Sequence, residues 1–342
     1  MNVLSLFDGM SCGQIALAQC GYTVDNYYAA EIDKYAIQVT QANYPNTIQL
    51  GDVTKVKGAD LPKIDLLIGG SPCQGFSFAG KQLNFEDPRS ALFFEFVRLL
   101  DETKPKYFFL ENVRMKKEYQ DVISKYLGVE PVALNSNVVS AQNRYRLYWT
   151  NIPGYTAPED KGILLKDIVH EYALVDRDKS HCLDANYAKG TNLEQYLKKC
   201  RRQIVFNVNP SGKGMNGVVQ SIDKDKCNTL TTNKGEGQKI VFERKVYQIN
   251  PSLESNGRQP FQHNRVYDTR GLSPCLNTDA RSPGVLIEGY IRKLSPVECE
   301  RLQTVPDNYT AHVSNSQRYK MLGNGWTVDA VCEFFKHIEQ DI

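Results

Sequence analysis

The sequence holds nine cysteines but no Cys-x-x-Cys pair and no spacing of Cys, His and acids that would cage a metal. Structural zinc is therefore not expected, and an odd number of scattered thiols fits a reducing compartment better than a disulfide framework. No apolar run approaches the length needed to cross a bilayer, and the opening Met1-Asn-Val-Leu-Ser-Leu-Phe7 carries no basic n-region. The expectation is a soluble, intracellular, cytoplasmic chain. A strong net charge is also missing, since the 342 residues sum to +2.

That small number hides an uneven distribution. Between Arg177 and Arg270 there are 17 Lys/Arg against 9 Asp/Glu, so the rest of the chain is acidic. A basic stretch beside an acidic remainder is the electrostatic footprint of a nucleic-acid face, although a solvated Lys-rich surface has the same composition.

A chain of this length can bury a full core. Up to about residue 154, short β-branched or aromatic runs alternate with segments of helical period. Strands are predicted over residues 3–7, 26–30, 47–50, 64–68, 107–110, 132–139 and 146–149, and helices over 13–20, 34–43, 90–102 and 115–126. This alternation predicts an α/β fold with a doubly wound, mostly parallel, Rossmann-like sheet, and the last two strands, with no helix between them, predict an antiparallel edge. Beyond residue 154 the texture turns to short Asn-, Gly-, Ser- and Lys-rich segments, which predicts a smaller, β-rich domain. A weak repeat relates Asn207-Val-Asn-Pro-Ser-Gly212 to Gln248-Ile-Asn-Pro-Ser-Leu253, with a third echo in His181-Cys-Leu-Asp-Ala-Asn186. Such echoes are expected of similar hairpins, or of chance in Asn/Ser-rich loops. Helical pattern returns over 296–303 and 327–338, with the terminal helix expected to dock on the first domain. The expected division is 1–175, 176–288 and 289–342.

Chemistry-bearing residues sit at the predicted strand ends. The first strand runs into Phe7-Asp8-Gly9-Met-Ser11-Cys12-Gly13, where a glycine turn lets backbone approach a ligand and a helix N-terminus attracts negative charge. The second ends in Glu31-Ile32-Asp33, where such sheets hold ribose hydroxyls, and the third in Gly51-Asp52-Val53. Glycine turn, acid and acid in this order suit an adenosine-bearing cofactor. The glycines of the first turn are not spaced G-x-G-x-x-G, which favours a nucleoside with a compact charged tail over a pyrophosphate. The run 64–68 leads to Ser71-Pro72-Cys73-Gln74 and the run 107–110 to Glu111-Asn112-Val113, so a thiol and a carboxyl are expected to meet in one crevice. A free cysteine is more often an inert hydrophobe than a nucleophile, and at an ordinary pKa of about 8.5 only a few per cent is thiolate at neutral pH. The segment from Gln74 to Pro88 reads as a mobile lid. In Gln142-Asn-Arg144-Tyr-Arg146, alternation in a strand would put both guanidinium groups on one face, to lower a nearby thiol pKa and donate to a carbonyl; two surface ion pairs are the plainer alternative. Met321-Leu-Gly-Asn324-Gly-Trp-Thr-Val328 reads as a tight turn into a helix, and Ser295 to Glu298 as a capping box.

Phe-Asp-Gly, Gly-Gly-Ser-Pro-Cys-Gln, Glu-Asn-Val, Gln-x-Arg-x-Arg, Arg-x-Leu-Ser-Pro-x-Glu and the terminal Gly-Asn-Gly, in that order, resemble the DNA cytosine-5 methyltransferase family over about residues 1–154 and 290–342. The segment 139–154 is also similar to animal de novo methyltransferases, and the compact length to bacterial or phage enzymes. The resemblance implies a target-recognition domain in the middle and a monomer acting on double-stranded DNA, in a restriction system or alone. It implies S-adenosylmethionine as cofactor, contacted by Phe7, Asp8, Gly9, Glu31, Ile32, Asp52, Val53, Pro72, Leu92 and Asn324. It further implies that Cys73 adds to C6 of a flipped cytosine, that Glu111 shares a proton with N3, burial favouring that proton, and that Arg146, with Arg144, holds O2. Gln303-Thr-Val-Pro306 departs from the family pattern of glycine and phenylalanine before the proline. A catalytically silent DNA-binding regulator and an RNA cytosine methyltransferase are the alternatives; intact Cys73, Glu111, Arg144 and Arg146 oppose the first, and the absence of a Cys-Phe-Thr tripeptide opposes the second.

Overall fold

The computed structural model describes residues 1–71, 88–170, 173–190, 196, 199, 201–208 and 289–339. Pro72, Cys73, the expected lid and most of the basic middle stretch, including its repeat, lie outside the described residues. In chain order the strands are β1 (Asn2–Leu6), β2 (Asn26–Ala30), β3 (Ile48–Gln49), β4 (Leu66–Gly69), β5 (Tyr107–Val113), β6 (Val132–Asn135), β7 (Tyr145–Thr150), β8 (Ala173–Leu174), β9 (Ile204–Val208) and β10 (Gly289–Lys293). The helices are α1 (Cys12–Gln19), α2 (Lys34–Asn43), α3 (Pro88–Thr103), α4 (Lys117–Leu127), α5 (Leu165–Ile168), α6 (Pro296–Leu302), α7 (Asn315–Asn324) and α8 (Val328–Phe335).

Seven strands form one sheet in the order β3-β2-β1-β4-β5-β7-β6. The first five pair in parallel, while β7 runs antiparallel to both β5 and β6. Alternating side chains bury both faces, as a parallel sheet requires. Phe108 and Leu110 join Phe93, Phe96 and Leu99 of α3 and Ile123 of α4 in one core. Phe109, between them in sequence, points to the opposite face and packs edge-on against Phe334 and Phe335 of α8 at centroid distances of 5.4 and 5.1 Å. Glu111 follows on that second face. The alternation that gives β5 its two cores thus also delivers its carboxylate to the strand end.

Two structural units emerge, the first comprising residues 1–169, 177–203 and 294–342 and the second 170–176 and 204–293. In the second, β8, β9 and β10 form an antiparallel sheet. Residues 177–203 group with the first unit. Gln142 Oε1 accepts from Leu183 N at 3.3 Å, Ser180 N donates to Ala141 O at 2.7 Å, and Lys179 Nζ donates to Asn137 O and Ile163 O, both at 2.6 Å. These bonds make the segment part of the first unit's own backbone network.

Within that unit the C-terminal segment bonds to the turn after α1. The Tyr22 hydroxyl donates to Phe335 O and Ile338 O at 2.9 and 2.7 Å, and Ser295 and Glu298 cap α6 reciprocally. Other expectations shift for local reasons. The strand predicted over 132–139 stops at Asn135, whose side-chain oxygen accepts from Arg144 N at 2.8 Å and Asn137 N at 3.3 Å and so replaces the ladder. Residues 321–324, read as part of a turn, are the last turn of α7.

Gly323 marks a close approach. A Cβ there would stand 2.2 Å from Asp184 C and 2.3 Å from Ala185 N, both main-chain atoms. Gly323→Ala is expected to lower stability by about 1–3 kcal/mol or more, as overpacking against backbone does. Urea unfolding measures it, and an unchanged midpoint would refute the contact.

Candidate active site

A cleft of about 630 Å³ opens at the C-terminal edge of the parallel strands. Its first wall is the turn after β1, where Phe7, Gly9 and Ser11 all have positive φ (58°, 61° and 63°). Asp8 organises this strained turn, accepting from Ser5 Oγ at 2.6 Å, from Tyr27 Oη at 2.7 Å and from Ser11 Oγ. Burial pushes the Asp8 carboxyl up to about 6, against the pull of the three hydroxyls. Gly9 N donates to Glu31 Oε2 at 2.8 Å, which ties the first turn to the end of β2. Glu31 Oε1 accepts from Ile32 N and Asp33 N, both at 2.7 Å. Oε2 therefore keeps acceptor capacity toward the cleft, as a ribose hydroxyl requires.

Asp52 caps the short turn after β3, accepting from Thr54 N at 3.0 Å and Thr54 Oγ1 at 2.9 Å, and the Thr54 N–H holds its carboxyl below the usual range. Val53 and Leu92 add apolar wall, and Ile32 stands 77% exposed at the rim, an uncovered apolar surface suited to a flat base. Of the sequence-predicted cofactor residues, Phe7, Asp8, Gly9, Glu31, Ile32, Asp52, Val53, Leu92 and Asn324 all line this cleft; Pro72 lies outside the described residues. Acid, exposed apolar rim and glycine turn fit an adenosine with a compact tail.

The opposite wall comes from α7. Gln317, Lys320, Met321 and Asn324, at helical spacing, line the cleft, and Lys320 Nζ reaches Asp33 Oδ2 across it at 2.6 Å. Burial opposes ionisation of Asp33, but Lys320 and the Tyr35 N–H hold its carboxyl below the usual range. The sequence reading missed this helix, although the i, i+3, i+4, i+7 spacing ahead of Gly325 was visible. It also missed Trp326, which lines the cleft and packs edge-on against Phe109 at 5.6 Å.

The deep end holds the charged pair. In the antiparallel register Glu111 faces Tyr148 and Val113 faces Arg146, so Arg146 sits diagonally from Glu111 on the same sheet face. Their side chains, 11% and 13% exposed, meet with Arg146 Nε 2.8 Å from Glu111 Oε1. A Cβ at position 70 would stand 3.2 Å from Glu111 Oε2 and 3.0 Å from Trp326 Nε1, so glycine there keeps the second carboxylate oxygen clear. Asn112 Nδ2 donates to Ser71 Oγ at 3.3 Å, joining the ends of β4 and β5 two residues before Cys73. Cys12, which lines this cleft, is buried, and burial pushes its thiol up to about 12, which makes it inert.

The expectation of a shared strand face for Gln142, Arg144 and Arg146 is corrected. Only Arg146 lies in β7. Arg144 is 2% exposed, and its terminal nitrogens donate to Leu183 O at 2.9 Å, Gly323 O at 3.2 Å and Gly325 O at 2.7 Å. Gln142, fully buried, donates to Leu302 O at 2.7 Å and Gln303 Oε1 at 2.8 Å. Neither is a surface residue. Gln303, where the family pattern is broken, donates to Leu322 O at 2.6 Å and so helps fix α7.

Asp8 gives a pH test. Its folded pKa lies above the ordinary carboxyl value, so between about pH 4 and 6 the folded chain keeps a proton that the unfolded chain has lost. Stability from this group is therefore highest below pH 4 and falls as pH rises to 6, by roughly 2–3 kcal/mol. Asp8→Asn removes the trend: the unfolding free energy of the variant relative to the parent should climb by that amount between pH 4 and 7. Parallel curves would contradict the assignment.

Among the described residues no group of His, Cys, Asp and Glu could hold a metal, and no helix is long and apolar enough to cross a membrane. In fold the chain resembles the Entamoeba histolytica methyltransferase EhMeth, with a TM-score of 0.61 and 13% identity over 98% of this chain and 97% of the other. It likewise resembles Schizosaccharomyces pombe Dnmt2, with a TM-score of 0.53 and 16% identity over 98% and 97%. In sequence it is 30% identical to the orphan methyltransferase M.SPRI of Bacillus phage SPR, over 99% of this chain and 97% of that protein. It is 29% identical to the type II methyltransferase M.HhaI of Haemophilus parahaemolyticus, over 97% and 92%. Residues 1–340 match the C-5 cytosine-specific DNA methylases throughout, and the chain belongs to that family.

Proposed function

We propose that this chain transfers the methyl group of S-adenosylmethionine to C5 of a flipped-out cytosine in a specific double-stranded DNA sequence, through a covalent Cys73–C6 adduct, acting as a monomer. The observation that carries the reading is the buried Glu111–Arg146 pair, in the same cleft as Ser71 at the end of β4 and the Asp8, Glu31 and Asp52 walls. Bound there, the cofactor would supply an electrophilic sulfonium methyl; Glu31 would take ribose hydroxyls, Phe7, Ile32, Val53 and Leu92 the flat base, and Asn324 with the α7 face the tail.

The remaining chemistry belongs to the protein. Cytosine C6 becomes electrophilic when electron density is drawn onto N3 and O2. Glu111 would share a proton with N3, since a bare carboxylate facing that lone pair would repel it, and Arg146 would donate to O2 as charge develops there. The Cys73 thiolate would then add to C6, which leaves C5 nucleophilic toward the methyl group that the bound cofactor would supply. Removal of the C5 proton re-forms the double bond and expels Cys73. Arg144, turned to carbonyls, would support this end from behind without touching the base. Because C6 is shielded in a stacked duplex, the base must leave the helix at a cost of a few kcal/mol. The basic stretch from Arg177 to Arg270 supplies the charge for DNA.

Cys73→Ala should abolish methyl transfer while cofactor affinity by calorimetry stays within about threefold of the parent. Duplexes carrying 5-fluorocytosine should trap a covalent complex with the parent, because fluorine at C5 cannot leave as a proton does. Comparable turnover by the variant, or no adduct on a duplex whose normal counterpart is methylated, would sink the mechanism. DNA affinity should fall at least about tenfold between 50 and 200 mM salt, and a flat response would exclude the basic stretch as the DNA face.

A further inference from the structure

The guanidinium groups of Arg144 and Arg146 converge on one sulfur. Cys182 Sγ lies 3.4 Å from Arg144 Nη1 and 4.0 Å from Arg146 Nη2. The thiol comes from His181-Cys-Leu-Asp-Ala-Asn186, a segment that the sequence marks only as a weak echo of the middle repeat.

Charge balance gives this contact a role. Glu111 neutralises Arg146, but the partners that hold the buried Arg144 are neutral carbonyls of Leu183, Gly323 and Gly325. A buried guanidinium without counter-charge is unfavourable, and a second guanidinium beside it makes this worse. Burial and then the Arg146 charge indeed weaken the hold of Arg144 on its proton. A sulfur between the two accepts from both guanidinium groups and, when ionised, offsets both penalties. As a thiol, Cys182 donates to Leu183 O at 3.6 Å, an oxygen it shares with Arg144 Nη1 at 2.9 Å. Burial opposes ionisation of Cys182, yet the Arg144 and Arg146 charges outweigh it and hold the thiol below its ordinary value. Among the described residues the other ionisable groups around this cluster are Glu111 on β5, paired with Arg146, Tyr148 on β7, whose phenol burial keeps neutral, and Cys12, whose thiol burial pushes up. Asp184 is turned away to Arg201 and Arg202 at 3.2 and 3.3 Å.

We propose that Cys182 is a positioning residue, whose sulfur bridges the two guanidinium groups and fixes Arg146 with its Nε on Glu111 and its remaining donors toward the pyrimidine O2. The inference rests on the role proposed above for Arg146. Arg144 anchors the bridge to the α7 end, so the sulfur links the cofactor wall to the base-binding pair.

The test uses the intact chain and two readouts. The first is alkylation of Cys182 by iodoacetamide across pH, followed by mass analysis of its peptide. The midpoint should lie below the ordinary thiol value of about 8.5 and should rise in Arg146→Ala. The second is methylation kinetics. Cys182→Ala should lower kcat at least about tenfold with calorimetric cofactor affinity unchanged, and Cys182→Ser should restore little, since a hydroxyl does not ionise there. The acid-side fall of kcat should also move in Cys182→Ser, which a purely structural role would not produce. An alkylation midpoint unaffected by Arg146→Ala, or a parental kcat in Cys182→Ala, overturns the proposal. If the midpoint rises in Arg146→Ala while that variant methylates normally, the fault lies in the role given to Arg146, and the positioning role falls with it.

Discussion

One buried guanidinium sets the geometry on which the cleft depends. Arg144 donates to carbonyls at 183, 323 and 325, which lie 39, 179 and 181 residues further along the chain. A guanidinium offers five donors in a rigid plane, so a single side chain can hold several backbone turns at fixed angles. Gln142 and Gln303 extend the hold, bonding one another and the ends of α6 and α7. Breaking such a buried polar network by removing one member leaves the others without partners, which makes it cooperative. The C-terminal helices are thereby kept against the sheet edge, and the cleft gains its second wall.

Much of this was legible in the sequence. Period-two alternation in β5 and the repeated strand–helix pattern fixed the sheet, and the two edge strands without a helix between them gave the antiparallel turn-back. The residues at the ends of β1, β2 and β3 line the cleft because parallel strands bring their C-terminal ends to one edge whatever the loops between them. What was not legible depended on long-range partners. Gln142 and Arg144 look like strand residues from spacing alone; their turning inward is decided by carbonyls at 302, 183, 323 and 325 that local pattern does not reveal. The segment 177–203 was assigned to the middle domain by its polar texture, yet its backbone bonds to the first unit. The helix face of Gln317, Lys320 and Asn324 shows helical spacing, but its polar side chains form no apolar stripe to mark a helix.

The cleft separates its charges by function. At one end Asp8 is buried among hydroxyls and pushed up to about 6, which makes it a scaffold for a strained turn. Glu31 and Asp52 are tied by backbone N–H groups at the strand ends. At the other end the buried Glu111 and Arg146 side chains meet directly at 2.8 Å. Such an arrangement suits a reaction in which an electron pair must be drawn across a pyrimidine from C6 toward N3 and O2, because donors already oriented need no reorganisation as charge develops.

The claim that a thiol adds to C6 is tested most directly by exchange of the cytosine C5 hydrogen with solvent when no methyl donor is present. Addition of Cys73 makes C5 basic enough to take a solvent proton, so target duplexes tritiated at C5 should release label in the presence of the parent protein and not of Cys73→Ala. Equal release by both proteins, or none from a duplex that the parent methylates, would contradict the account.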